Sequence, residues 1–129
     1  MNNALKLKPL WLVVGYLLIA YIFYLSLRPD PIQIDIDNFD KYAHTFAYFV
    51  LMGWFVQIYH HPKSVLICAI TFACMGALIE VLQGMGGVRF FDYYDMLANA
   101  SGVLIAWILS ITPFKNILFY LEQHFITAH

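Results

Sequence analysis

The chain has 129 residues, the size of one domain, and a formal net charge of −1. Hydrophobic residues make up 62% of it and charged residues 12%, against about 45–50% and 25% in ordinary soluble domains. A water-soluble fold this short keeps much of its surface wet and needs more polar cover, whereas a bilayer removes that requirement; the absence of a basic run argues against a nucleic-acid partner.

The apolar segments predict an all-α, polytopic membrane protein: one domain over 1–129, built as a bundle of four transmembrane helices at about 10–27, 42–59, 64–82 and 95–112. Each approaches the ~20 residues that cross the hydrocarbon core, and tilt or local thinning absorbs the deficit. The first span follows Lys6, Lys8 and Pro9 and stops at Arg28-Pro29. It is longer than a signal-peptide core and lacks a small-residue cleavage site, so it reads as a retained helix. A polar loop with Asp30, Asp35 and Asp37 leads to the second span, which is rich in aromatics (Tyr42, Phe46, Tyr48, Phe49, Trp54, Phe55, Tyr59). The aromatics are read as lipid contacts and packing.

His60-His61-Pro62-Lys63 makes a tight, exposed turn into the third span, whose one acid is Glu80. Cys68 and Cys74 lie there six positions apart. On a helix this is about 9 Å of rise, beyond the roughly 7 Å a disulfide tolerates, so they read as packing residues. Glycines 84, 86 and 87 are expected to break that helix before Arg89, and Pro113 follows the fourth span. The tail, 114–125, looks amphipathic, with Lys115 and Glu122 opposed to Ile117, Leu118 and Leu121, as in a helix lying along an interface.

Four spans put both termini on one side. Lys6, Lys8, Lys63 and Lys115 share that side, against Arg28, Lys41 and Arg89 on the other, and the lysines ahead of the first helix favour cytoplasmic termini. The same topology gathers Asp40, Lys41, His44, Glu80, Gln83, Arg89, Asp92, Asp95 and Asn99 at the opposite membrane face. Helical spacing puts Asp40 and Lys41 on a face with His44, and Tyr48 one turn deeper; Glu80 pairs with Gln83, and Asp92, Asp95 and Asn99 continue toward Gly102. Small residues at Ala98, Gly102 and Ala106 permit close helix approach. Glu80 is the most informative of the set, because an acid within a span costs a few kcal/mol at the bilayer centre and must be paired, protonated or wet.

Read in order, Asp40-Lys41-x-x-His44-x-x-x-Tyr48, Glu80-x-x-Gln83 and Arg89-x-x-Asp92-x-x-Asp95-x-x-x-Asn99-x-x-Gly102 resemble the VanZ-like family of small bacterial membrane proteins. The ordered match runs over roughly 26–106, most of the chain. The resemblance implies a four-helix protein of the bacterial inner membrane and carries those polar residues over as the family's motif. The family is named for a member linked to teicoplanin resistance in glycopeptide-resistance clusters; that role carries over less directly than the fold.

Three functions are open to the cluster. It binds an envelope lipid, a cell-wall precursor, a glycopeptide antibiotic or another anionic small molecule, with Lys41 and Arg89 on a phosphate or carboxylate. Or it catalyses a change in a lipid head group, with His44, Glu80 or Asp95 as candidate catalytic groups, although no nucleophile elbow, phosphate loop or nucleotide fingerprint is present. Or it is a structural network that sets helix register. No cofactor is expected. Nor is a metal, since no cysteine or paired-histidine spacing supports zinc; His44 with carboxylates of Glu80, Asp92 or Asp95 is a subordinate arrangement for a divalent ion. Membrane lipids are the expected partners, and the small-residue stripes serve packing within or between subunits equally well.

Overall fold

Five α-helices make up the described part of a computed structural model: α1 Lys8–Ser26, α2 Phe39–Ile58, α3 Pro62–Met85, α4 Tyr93–Leu109 and α5 Ile117–Thr127, with a 3-10 turn Pro113–Asn116 ahead of α5. The structure describes residues 5–27, 39–85 and 93–127; Arg89 and Asp92 lie outside them.

Proline marks three of the starts, where a missing N–H is harmless and φ is already suitable: Pro9 in the first turn of α1, Pro62 opening α3 and Pro113 opening the 3-10 turn. His61 assists at α3, its ring Nδ1 accepting from the Lys63 amide at 3.1 Å. Thr112 caps the 3-10 turn through its hydroxyl, which accepts from the Phe114 amide at 3.2 Å.

Two boundaries differ from expectation. α3 runs through Gly84 to Met85, because its last turns are held by buried Ile79, Glu80 and Gln83 and a glycine only weakens a helix. α4 stops at Leu109, and residues 110–112 turn back on it with 3-10-type bonds such as Thr112 N to Leu109 O, 3.0 Å. The chain is thereby redirected, so that α5 crosses at 85° to α4.

α2 is the central helix. Its Tyr48, Leu51, Met52, Phe55 and Val56 supply much of the core, joined by Val65, Ala69, Phe72, Met75 and Ile79 of α3 and Val103 and Ala106 of α4. The most extensive contact is between α2 and α4, and Gly102 makes it possible. A Cβ there would run into the Thr45 carbonyl oxygen and lie 2.8 Å from the Phe49 amide nitrogen. Both are backbone atoms, so no rotamer change relieves the clash. On α3, Gly76 receives Asn99 in the same way, with Asn99 Nδ2 2.9 Å from the would-be Cβ. The buried stripe of α3 thus runs through Ala69, Phe72, Gly76 and Glu80.

α1 is an outer helix. Gly15 is its one buried residue among those described, seated on Phe55 and Trp54. The rest of its surface is apolar, and large side chains such as Leu17, Tyr24, Ile67, Ile108 and Ile111 stand more than half exposed around the molecule. Water penalises such a surface and acyl chains accept it. α1 and α3 are each long and apolar enough to cross a bilayer, and a third span is reached if α4 and α5 count as one bent pair. The protein is an all-α membrane protein. α4 is shorter, at 17 residues, and α2 opens on the polar residues Asp40, Lys41 and His44.

Candidate functional site

Antiparallel packing brings the end of α3 beside the starts of α2 and α4, and three ionisable side chains converge there. One ligating atom each from His44, Glu80 and Asp95 lie within 4.8 Å of one another. Glu80 is 1% exposed and Asp95 9%, while His44 is half-buried. Lys41 joins from the first turns of α2, its Nζ 2.7 Å from Asp95 Oδ1. The contact is one of charge rather than alignment, since that oxygen lacks a hydrogen-bond partner of good geometry.

Each residue reaches the site through helical register. Lys41, His44 and Tyr48 follow i, i+3 and i+4 steps on α2, and Asp95 and Asn99 are one turn apart on α4. Tyr48 and Asn99, both 2% exposed, stand one turn deeper than His44 and Asp95. The Tyr48 hydroxyl lies within electrostatic reach of Glu80. Among the described residues neither this hydroxyl nor Asn99 Oδ1 has a hydrogen-bond partner. Buried polar atoms are usually satisfied, and each one that is not costs about 1–3 kcal/mol.

Beside the cluster, α1 and α2 leave a cavity of about 150 Å³ lined by Ile22, Leu25, Ser26, Ala43, His44, Ala47 and Tyr48. Its lining is mostly apolar, with Ser26, His44 and Tyr48 as the polar residues. Gln83 has a different task from its neighbours: its amide donates to the Ser26 carbonyl at 2.7 Å, satisfying an orphan acceptor at the end of α1. Of the remaining sequence candidates, Asp40 lies in the first turn of α2 by its backbone, and Arg89 and Asp92 fall outside the described residues. His44, Glu80 and Asp95 offer one nitrogen and two carboxylates, a donor set able to hold a divalent cation. From the sequence that arrangement ranks as subordinate, because no cysteine or paired-histidine spacing supports zinc.

The opposite end of the bundle holds a second polar network that spacing did not reveal. Glu122 of α5 is 1% exposed. It accepts from the Lys6 amide at 2.6 Å, the Leu7 amide at 3.0 Å and the Trp11 indole at 2.6 Å. It therefore satisfies the amides of the turn that leads into α1 and fastens that turn to α5. Burial works to raise its pKa, but the Trp11 bond, the two amides and the charge of Lys6 outweigh it and hold the carboxyl below its ordinary value. The amphipathic reading of the tail is corrected on this point: Glu122 faces inward with Leu118 and Phe119, and Ile117 and Leu121 face out. Gln57 continues the network, donating to the Phe114 carbonyl at 2.6 Å and accepting from the Leu118 amide at 2.8 Å. His60, expected in an exposed turn, is half-buried with Nε2 3.0 Å from the Lys115 carbonyl. Gln57, a polar residue inside an apolar span, is a sequence feature that marks this end.

With the geometry in hand, comparison with known proteins decides the family: the VanZ/LLP1 family model matches residues 2–119. The chain belongs to the VanZ/LLP1 family. It is also 29% identical over 123 residues to an uncharacterized protein of fission yeast, Schizosaccharomyces pombe, covering 90% of this chain and 70% of the yeast protein. That likeness reaches a eukaryote, so the bacterial setting implied by the resemblance is not a property of the fold. No solved structure matches. Neither comparison attaches a ligand or a reaction to this VanZ/LLP1 chain, and its chemistry rests on the cluster itself.

Proposed function

We propose that this is a four-span cell-envelope protein, with both termini on one side, whose polar cluster binds the phosphate-bearing head group of a membrane lipid or lipid-linked wall precursor. The observation that carries the reading is the pairing of the cluster with the cavity between α1 and α2: an apolar slot that ends on His44 and Tyr48, beside Lys41, Glu80 and Asp95. An amphiphile fits such a site, its chain against Ile22, Leu25 and Ala47 and its head group among the ionisable tips. The Tyr48 hydroxyl, unpartnered among the described residues, supplies a donor, and Lys41, 24% exposed, a positive charge. Phosphate is favoured over a neutral head group because charge-assisted hydrogen bonds are the strong ones.

The test is thermal stabilisation of the purified chain in detergent by phosphatidylglycerol against diacylglycerol with the same acyl chains. Preferential stabilisation by the phospholipid, weakened at least fivefold in apparent affinity by Lys41→Ala, is expected. Equal response to both lipids would sink the reading. Teicoplanin in the same assay separates antibiotic binding from lipid binding, and mass spectrometry of envelope lipids from an overexpressing strain separates a head-group enzyme from a binder.

A structural network is the second reading, favoured by the Lys41–Asp95 ion pair and the Gln83–Ser26 bond. It requires loss of stability, without loss of lipid preference, when Lys41 is removed.

A further inference from the structure

We infer that His44, Glu80 and Asp95 form a binding site for a divalent cation of the manganese or zinc class, with open coordination positions that take a phosphate oxygen. The inference deepens the head-group reading and, for its phosphate ligand, rests on it. The ion site itself stands on separate observations.

The first is the donor set. One imidazole and two carboxylates come from three helices, and their ligating atoms already lie within 4.8 Å of one another. Ligands sharing an ion at about 2.1 Å sit roughly 3–3.5 Å apart. Side-chain rotation closes the difference, most easily at half-buried His44. Three protein ligands leave positions for water or a phosphate oxygen, the pattern of reactive rather than purely structural metal sites. A nitrogen donor beside two carboxylates favours manganese or zinc over calcium or magnesium.

The second is charge. Glu80 and Asp95 are both buried, and the Lys41 ammonium lies 2.7 Å from Asp95 Oδ1. Two carboxylates crowded into a low-dielectric helix end repel each other and lose solvation. A divalent ion offsets both penalties. It would also take over Asp95 from Lys41, leaving that ammonium to pair with the phosphate.

The third is the surroundings. The Tyr48 hydroxyl, 2% exposed, lacks a hydrogen-bond partner among the described residues and lies within electrostatic reach of Glu80. A water or phosphate oxygen held by the ion is the partner this hydroxyl needs. Asn99 Oδ1, likewise buried and unpartnered, stands one turn beyond Asp95 and suits a hydrogen bond from such a water.

The experiment uses the full chain in detergent, free of any histidine tag and stripped with EDTA. Mn²⁺ is titrated while the electron paramagnetic resonance signal of the free ion is followed, with Zn²⁺ as competitor. Saturable binding of one ion per chain is expected, weakened at least tenfold by His44→Ala and by Glu80→Gln. Lys41→Gln removes the competing ammonium and should tighten binding severalfold, which keeps the test decisive if Glu80→Gln fails to fold. Absence of saturable Mn²⁺ or Zn²⁺ binding up to 1 mM overturns the site, as does binding indifferent to His44 and Lys41. Lipid arms then separate the two proposals. Ion binding with no phospholipid preference overturns the head-group reading and leaves the ion site standing. Phospholipid preference unchanged in EDTA overturns the ion's role at the phosphate. Free inorganic phosphate, added at equal concentration, reports whether the acyl chain is required.

Discussion

Glu80 and Glu122 are both 1% exposed, yet the two ends of the bundle treat a buried carboxylate differently. Around Glu122, the Lys6 and Leu7 amides and the Trp11 indole fill the acceptor positions, and neighbouring Gln57 is satisfied on both sides. At the Glu80 end, the Tyr48 hydroxyl and Asn99 Oδ1 have no hydrogen-bond partner among the described residues, and Asp95 Oδ1 meets the Lys41 ammonium at 2.7 Å. A saturated network fastens α5 to α1 and stabilises the fold. The two unpartnered groups at the Glu80 end are the ones the proposed head-group site would use.

The comparison breaks most directly at Glu122. Glu122→Ala leaves three donors short at the start of α1, and at about 1–3 kcal/mol for each buried unsatisfied group a loss on the order of 3 kcal/mol is expected. Thermal unfolding in detergent measures it, and lipid preference should be unaltered. If stability does not move, the Glu122 end is not the clamp described.

Next in size is Gly102→Ala, which sharpens the comparison by loosening the frame that supports the candidate site. The new methyl meets the backbone of Thr45 and Phe49, and overpacking of this kind costs roughly 1–3 kcal/mol. The α2–α4 contact has to open, so stability and phospholipid affinity should fall together in the same thermal assay.

Tyr48→Phe should separate the ends by sign. Removing an unpartnered buried hydroxyl leaves stability unchanged or raises it by about 1 kcal/mol, while affinity for phospholipid declines. A marked drop in unfolding temperature would show that the hydroxyl is already engaged.

The smallest effect is in pH. Because the folded Glu122 carboxyl lies below its ordinary value of 4.5, its contribution is fully present above that value and is lost as pH falls through the lower folded value. Unfolding temperature measured from pH 7 to pH 3 should decline at the acidic end. In Glu122→Gln that component of the decline should disappear, and its persistence there would assign the acid sensitivity elsewhere.

Much of the fold was legible because apolar runs and proline positions are local signals. The segments at 10–27, 64–82 and 42–59 correspond to α1, α3 and α2 within a few residues, and the fourth overran by three because the first helix breaker in the sequence, Pro113, comes after the turn at 110–112. The convergence of His44, Glu80 and Asp95 followed from topology and register together. Gln83 was grouped with them by spacing, but spacing cannot reveal that its amide faces the end of α1. The Glu122 clamp was illegible because its partners lie more than 100 positions away in the chain.

Composition and periodicity determined by themselves that this chain is helical, membrane-bound and polar at one set of helix ends, since each follows from side-chain hydrophobicity repeated at helical spacing. Only the tertiary structure decided which polar groups meet and which of them are satisfied. The reason is geometric: hydrogen bonds and ion contacts act over about 3 Å, and nothing in a linear pattern sets the distance between helices except small residues such as Gly102, where two backbones are allowed to touch.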